Sequence, residues 1–250
     1  MSKVLSIAGA ESRRIFVSPL AWAVLAVLQV ILGIFFVLYL NAYAQAAQVA
    51  TDQSFGVADY IGGGLYSSAN VVLLLVIPLM TMRLFSEERK SGSITLLLSS
   101  PVSLIEIVLG KFLGLGTFLL FAVGLLTLMS LTLMTGTDLD LGRIAAGLLG
   151  LFLMMLAFGA AGLFVSTLTR EPVIAAVAGF GLLLVFWVLQ GVSQSMTALP
   201  FAGAIGYLSL IGHFDNLRRG IVSTADVVYY LLFVTFFLWL AVLRLDLERT

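Results

Sequence analysis

The chain lacks cysteine altogether, has one histidine, and carries only 13 Lys+Arg and 13 Asp+Glu in 250 residues. Without thiols, disulfides and thiolate metal sites are excluded. His213 has no second histidine with which to build an imidazole metal site. The balanced charge offers no basic excess of the kind that grips nucleic acid. Charged residues make up 10% of the chain, against roughly 25% in an average soluble domain. A soluble fold this poor in charge would be unable to cover its own surface.

Two catalytic patterns are also missing. No G-x-S-x-G supplies a Ser–His hydrolase with its nucleophile. Gly110-Lys111 invites a phosphate-loop reading, but Ile105 stands where the first glycine is needed and Phe112 follows the lysine. No cofactor site and no ATPase are expected in this chain. Convergent polar residues at membrane depth are also wanting, which disfavours an embedded enzyme.

What is present is apolar sequence, 61% of all residues. Lipid does not hydrogen-bond to backbone, so spanning segments are helices or closed barrels. The long continuous runs predict helices, since a barrel shows short alternating strands. A hydrocarbon core of about 30 Å needs about 20 residues per helix. Six segments qualify: Pro19–Leu40, Ser68–Leu84, Ile107–Met134, Ile144–Thr167, Val173–Val192 and Val227–Leu245. The second is short without flanking residues, and the third is long enough to begin outside the bilayer. The expectation is one all-α membrane domain over residues 1–250.

Phe201–Gly212 is too short to span, which favours a re-entrant or interfacial segment. A seventh crossing would instead move the C-terminus to the other side. Six spans with a cytoplasmic N-terminus place ten Lys and Arg inside and only Arg143, Arg218 and Arg219 outside. This bias predicts a multi-pass protein of the bacterial inner membrane with both termini cytoplasmic. The first external loop, Asn41–Ser67, holds Asp52 and Asp59 and no Lys or Arg. Ala42-Tyr43-Ala44 looks like a signal-peptide cleavage site. The preceding run is longer than the 7–15 residues of a signal core, so an uncleaved first span is expected.

On a helical wheel Ser2–Ser18 places Val4, Leu5, Ala8, Ile15 and Phe16 on one side and Lys3, Arg13 and Arg14 on the other. That is the pattern of an amphipathic helix on the cytoplasmic membrane surface. An ordinary basic flank that sets topology is compatible with the same residues.

Arg83–Lys111 is the most informative stretch. Glu87, Glu88, Arg89 and Lys90 cluster at the membrane boundary, and Gly92 breaks the run. Ser93 is placed to cap a short helix, Ile94–Leu98, which Pro101 ends. Ser103 and Glu106 form a capping box for the next helix. The side of the short helix carrying Ile94, Leu97 and Leu98 needs a cover, either membrane surface or a partner protein. Gly110/Gly114, Ala157/Ala161 and Ala175/Gly179 mark faces where helices approach closely, including a candidate dimer seam.

The pattern Glu88-Arg89-x-x-Gly92-Ser93, Leu97, Pro101-Val102 and Gly110-Lys111 resembles the type 2 ABC transporter permeases, and the six-span plan extends the resemblance over nearly the whole chain. It implies that Glu87–Pro101 holds a coupling helix docked on a separate ATPase subunit. It also implies two such subunits bearing ATP and Mg, and a second permease copy or related permease. The alternative is that these charges serve only as a topology signal.

His213-Phe214-Asp215-Asn216-Leu217-Arg218-Arg219-Gly220, with Asp226 and Tyr229-Tyr230, is similar to the gliding-motility and nitrous-oxide-reductase-maturation branches. That likeness implies a re-entrant external segment before the last span, in which Asp215 and Asp226 neutralise Arg218 and Arg219. A plain external loop is the other reading. His213 is expected to be a hydrogen-bonded structural residue. The function expected is ATP-driven export or movement of a substrate. The alternative is mechanotransmission to a periplasmic or membrane accessory protein with no transported substrate.

Overall fold

The computed structural model describes residues 3–49, 60–99, 102–135, 140–195 and 206–249. Helix α1 covers Lys3–Val17 and α2 covers Pro19–Val49, with Ser18 alone between them. Pro19 opens α2 at the position where a missing N–H is harmless. A π turn, Ile61–Leu65, leads into α3, Tyr66–Thr81; Met82 alone separates α3 from α4, Arg83–Ser91. Then follow α5, Ile94–Leu98, and α6, Leu104–Leu131, closed by a 3-10 turn at Thr132–Thr135. The rest is α7, Leu141–Ser166; α8, Pro172–Ser195; α9, Leu210–Arg218; and α10, Thr224–Arg249.

Among the described residues, six helices are long and apolar enough to cross a membrane, and no strand occurs. They coincide with the six expected spans, mostly lengthened at the ends. The short second span is Gly63–Ser91, 29 residues, because the chain stays helical through the charged run as far as Gly92.

Local chemistry sets the breaks. Gly92 ends α4 in the left-handed region at φ 75°, which glycine adopts without a Cβ clash. Ser103 and Glu106 form the predicted capping box at α6. Asp140 caps α7 by accepting from the Arg143 N–H. Gly220, at φ 87°, ends α9: its N–H donates to Leu217 O and the Ile221 N–H donates to Asn216 O, a Schellman closure.

Helix α7 is the centre of the bundle. Of its most apolar stretch 78% is buried, against 17% for α2 and 22% for α8, which lie at the periphery. Lipid gives no hydrophobic drive between helices, so close packing of small residues does the work. A Cβ on Gly162 would sit 2.2 Å from Thr81 Oγ1, and one on Gly150 would sit 2.7 Å from Leu217 Cβ. Glycine therefore lets α3 and α9 press against α7.

The small-residue pairs all serve contacts within the chain. Ala157 and Ala161 are fully buried on α7, and Ala175 packs with Met82. Gly110 and Gly114 receive α1: a Cβ on Gly110 would meet Ile7 Cγ2 at 2.6 Å, and one on Gly114 would meet Glu11 Cβ at 2.7 Å. This corrects the expectation of a dimer seam there. Helix α1 runs alongside α6 in the same direction, since Phe16 stacks edgewise on Phe118 and Phe121 further along. Its Ala8 and Ile15 are buried within the chain, while Leu5 is 55% exposed.

Of the ambiguous Phe201–Gly212 stretch, residues 201–205 lie outside the described residues. The remainder enters α9, nine residues long and too short to span. Leu217 and Phe214 pack at Gly150, about 13 Å along α7 from its start at 1.5 Å per residue. Helix α9 thus packs alongside the first part of α7.

Candidate functional site

Helix α4 is fastened on every side. Its apolar Leu84 and Phe85 are buried, and Ser86 Oγ donates to Met82 O, while the next four residues fan their charges outward. Glu88 Oε1 lies 2.6 Å from Lys111 Nζ of α6, and the same ammonium lies 3.2 Å from Glu11 Oε2 of α1. Arg14 closes the group, 3.5 Å from Glu87, 3.6 Å from Glu88 and 3.6 Å from Glu11, and donates to Arg83 O at 3.0 Å. Lys111 also lies over the Phe85 ring, 5.1 Å from its centroid.

Arg89 reaches the other way. Its Nη1 donates to Glu248 Oε1 on α10 at 2.7 Å, and Nη2 stands 2.7 Å from the other carboxylate oxygen as an ion pair. Glu248 is braced by Arg244 at 3.1 Å. Lys90 meets Glu171, before α8, at 2.8 Å. Four consecutive charged residues thus tie α4 to α1, α6, α10 and the α7–α8 turn. A cleft of about 430 Å³ opens between α1, α3 and α4, bordered by Glu11, Arg14, Arg83, Glu87 and Ser93.

Helix α5 departs from expectation in two respects. Ser93 makes no side-chain cap, because its backbone is already helical; its Oγ lies instead 2.8 Å from Ser91 Oγ and 3.4 Å from Glu88 O. Ile94 and Leu97 are half-buried against the core, so the chain itself covers the side that was expected to need a partner. The outward apolar residue is Leu96, 74% exposed, flanked by exposed Thr95 and Ser99. Pro101 and the Leu98 side chain lie outside the described residues.

At the opposite end, His213 and Asp226 lock α9 to α10. His213 Nδ1 is 2.6 Å from Asp226 Oδ1, and Nε2 is 3.0 Å from Tyr207 O. Asn216 donates to the other Asp226 oxygen at 3.1 Å, and the imidazole stacks on Tyr229 at 4.0 Å. Tyr230 donates to Leu210 O at 2.7 Å. Asp215 pairs with Arg218 at 2.6 Å, as expected. Asp226 does not join it: it turns inward to His213, where burial makes a close partner necessary.

Glu11 was not singled out from the sequence, and Lys111 entered only with Gly110 as part of the permease-like pattern, with no partner assigned. A signal was available for Glu11. It falls on the i, i+4, i+7, i+11 stripe of Val4, Ala8 and Ile15, a charge among apolar neighbours.

A family model described as "ABC-2 family transporter protein" matches residues 5–245. No curated protein matches the chain.

Proposed function

The chain belongs to the ABC-2 transporter family, and from that premise we propose that ATPase subunits seat on α5 and drive the bundle through α4. Permeases of this family are membrane subunits, not themselves ATPases, and they work with ABC ATPase subunits. In this reading two ATPase subunits carry the ATP and Mg, and two permease chains pair in the membrane, identical or related. Their seam lies on the peripheral α2 and α8, since the small-residue pairs are used within the chain. The α4–α5 end and both termini face the cytoplasm of a bacterial inner membrane, which the distribution of Lys and Arg supports.

One observation carries the proposal: α4 is bonded to four other parts of the bundle, while α5 beside it presents an uncovered Leu96. Such a pair suits force transfer. A push on α5 passes through Gly92 into a helix that cannot move without carrying its neighbours.

The test is co-purification with the cognate ATPase. Leu96→Glu and deletion of Ile94–Leu98 are expected to abolish capture while the membrane part stays monodisperse. An intact ATPase complex with the deletion variant would overturn the proposal. Gly92→Val is expected to weaken capture through backbone alone, since a Cβ there meets nothing within 4 Å. The left-handed conformation costs a β-carbon residue about 1–2 kcal/mol, and asparagine less.

A second reading is mechanotransmission without a transported substrate, as the resemblance to the gliding-motility and maturation branches suggests. The packing of α7 against both α4 and α9 favours it, because a solid path then joins the two ends. ATP-dependent binding of an accessory protein at the α9 end, with no ATP-dependent solute flux, would distinguish it from export.

A further inference from the structure

The cleft between α1, α3 and α4, about 430 Å³, has an apolar wall and a charged one. The apolar wall is Ile15, Leu20, Ala21 and Met80. Leu20 and Ala21 open α2, and Met80 lies in the last turn of α3, just before the charged run of α4, so the cleft sits at the membrane boundary. Trp22, next in the chain, is 46% exposed and donates to Phe16 O, and tryptophans of this kind sit at headgroup level. Glu11, Glu87 and Glu88 border the charged side. Lys111 takes one oxygen of Glu11 at 3.2 Å and one of Glu88 at 2.6 Å. The second oxygen of each, Glu11 Oε1 and Glu88 Oε2, is buried with no hydrogen-bond donor among the described residues. The Glu11 side chain is 7% exposed. Arg14 stands 3.6 Å from Glu11 Oε1 and 3.6 Å from Glu88 Oε1, beyond hydrogen-bond reach. Three carboxylates thus share two cations, Lys111 and Arg14. Arg83 is separate from them: it is exposed at the rim of the cleft, and its side chain pairs with no carboxylate among the described residues.

We propose that this cleft binds a primary amine linked to a phosphate, the headgroup chemistry of an aminophospholipid. An ammonium brings three N–H donors and the positive charge that the third carboxylate calls for. A buried carboxylate oxygen without a donor carries its full desolvation cost until one arrives. Arg14 holds neither unfilled oxygen by a hydrogen bond, so the ammonium does not compete with it for them. The phosphate falls to Arg83, whose planar guanidinium matches phosphate oxygens. A metal ion suits the cleft less, since no group of three or more metal-ligating side chains occurs among the described residues. The volume lies in the range of ordinary ligand sites, and the wall of Leu20, Ala21 and Met80 suits the start of an acyl chain. A lipid headgroup and free phosphoethanolamine share this chemistry. The proposal does not rest on ATPase subunits docking at α5.

The experiment is native mass spectrometry of the full chain in neutral detergent, titrated separately with phosphatidylethanolamine, phosphatidylcholine, phosphatidylglycerol and phosphoethanolamine. Phosphatidylethanolamine is expected to bind in preference to both other lipids. Phosphatidylcholine keeps the positive charge but has no N–H to donate, and phosphatidylglycerol keeps the phosphate without a cation. Affinity for phosphatidylethanolamine should fall about tenfold in Arg83→Gln, the scale of losing a charged hydrogen bond. Ser91→Trp changes an exposed residue of the rim, keeps every charge and fills the cleft, so it should give a similar loss without touching the Glu11–Lys111–Glu88 group. Phosphoethanolamine binding that both variants weaken, with no preference among the lipids, would support the site and assign it to a soluble amine. Three results would overturn the proposal: amine binding that neither variant weakens, binding of neither phosphatidylethanolamine nor phosphoethanolamine, or equal affinity for phosphatidylethanolamine and phosphatidylcholine with no binding of phosphoethanolamine.

Discussion

Lys111 Nζ stands 2.6 Å from Glu88 Oε1 and 3.2 Å from Glu11 Oε2, so one ammonium on α6 joins the N-terminal helix to the helix before the Gly92 turn. The Lys111 side chain is 3% exposed. A buried ion pair is weak evidence for stability as such, but removing one member strands the others. Lys111→Met leaves Glu11, Glu87 and Glu88 facing Arg14 alone. The expected loss is about 3–5 kcal/mol, the range for breaking a buried pair. Adding Glu88→Gln should restore part of it. Thermal unfolding of the single and double variants in one detergent measures the coupling, and additive losses would refute it.

The Arg89–Glu248 pair makes a different prediction. Lysine keeps the charge but loses the planar guanidinium that faces both Glu248 oxygens. Arg89→Lys should therefore resemble Glu248→Gln more than wild type. In the proposed complex both variants should still capture the ATPase, because α5 is untouched, yet lower the ATPase activity that the permease supports. Loss of capture in either would show that the pair holds α5 in place and does not transmit its movement.

The socket for α1 can be tested against the dimer seam that Gly110/Gly114 first suggests. A Cβ on Gly110 would meet Val4 O at 3.2 Å as well as the Ile7 side chain, so leucine there leaves α1 no room to settle. Gly110→Leu should detach α1, seen as faster proteolysis at Arg13 and Arg14, and leave the oligomeric state unchanged. A change to monomer with α1 still protected would return the seam to this face.

Much of the fold was legible in the sequence because the bilayer imposes it. Runs of apolar residues of spanning length have almost no alternative, and the Ser103–Glu106 capping box is a local device read directly from two residues. The site was legible only in part. Glu88, Arg89 and Gly92 stood out by spacing, whereas their partners Lys111, Glu11 and Glu248 lie far away in the chain, and nothing local joins them. The outward face of α5 was misread for a related reason. Five residues make little more than one turn, so which side is covered depends on tertiary packing and not on the pattern of Ile94 and Leu97. Gly110/Gly114 announced a close approach correctly but carried no information about which helix approaches.

At the α9 end, the carboxylate of Asp226 and the imidazole of His213 are both buried, and each has a second fixed partner in Asn216 and Tyr207 O. His213→Phe keeps the stacking on Tyr229 but leaves a buried carboxylate with only the Asn216 amide. Asp226→Asn keeps shape and hydrogen bonding but removes the charge that His213 faces. Each single change should loosen α9 from α10, and His213→Phe should be the worse, because an unpaired buried charge costs more than a neutral amide. The double variant should lose less than the sum, with a coupling of about 1 kcal/mol or more, as expected for side chains in one network. Hydrogen exchange of the α9 amides measures the loosening directly. Full additivity, or unchanged α9 protection in His213→Phe, would show that the helix is held by Leu210, Phe214 and Leu217 and not by this pair.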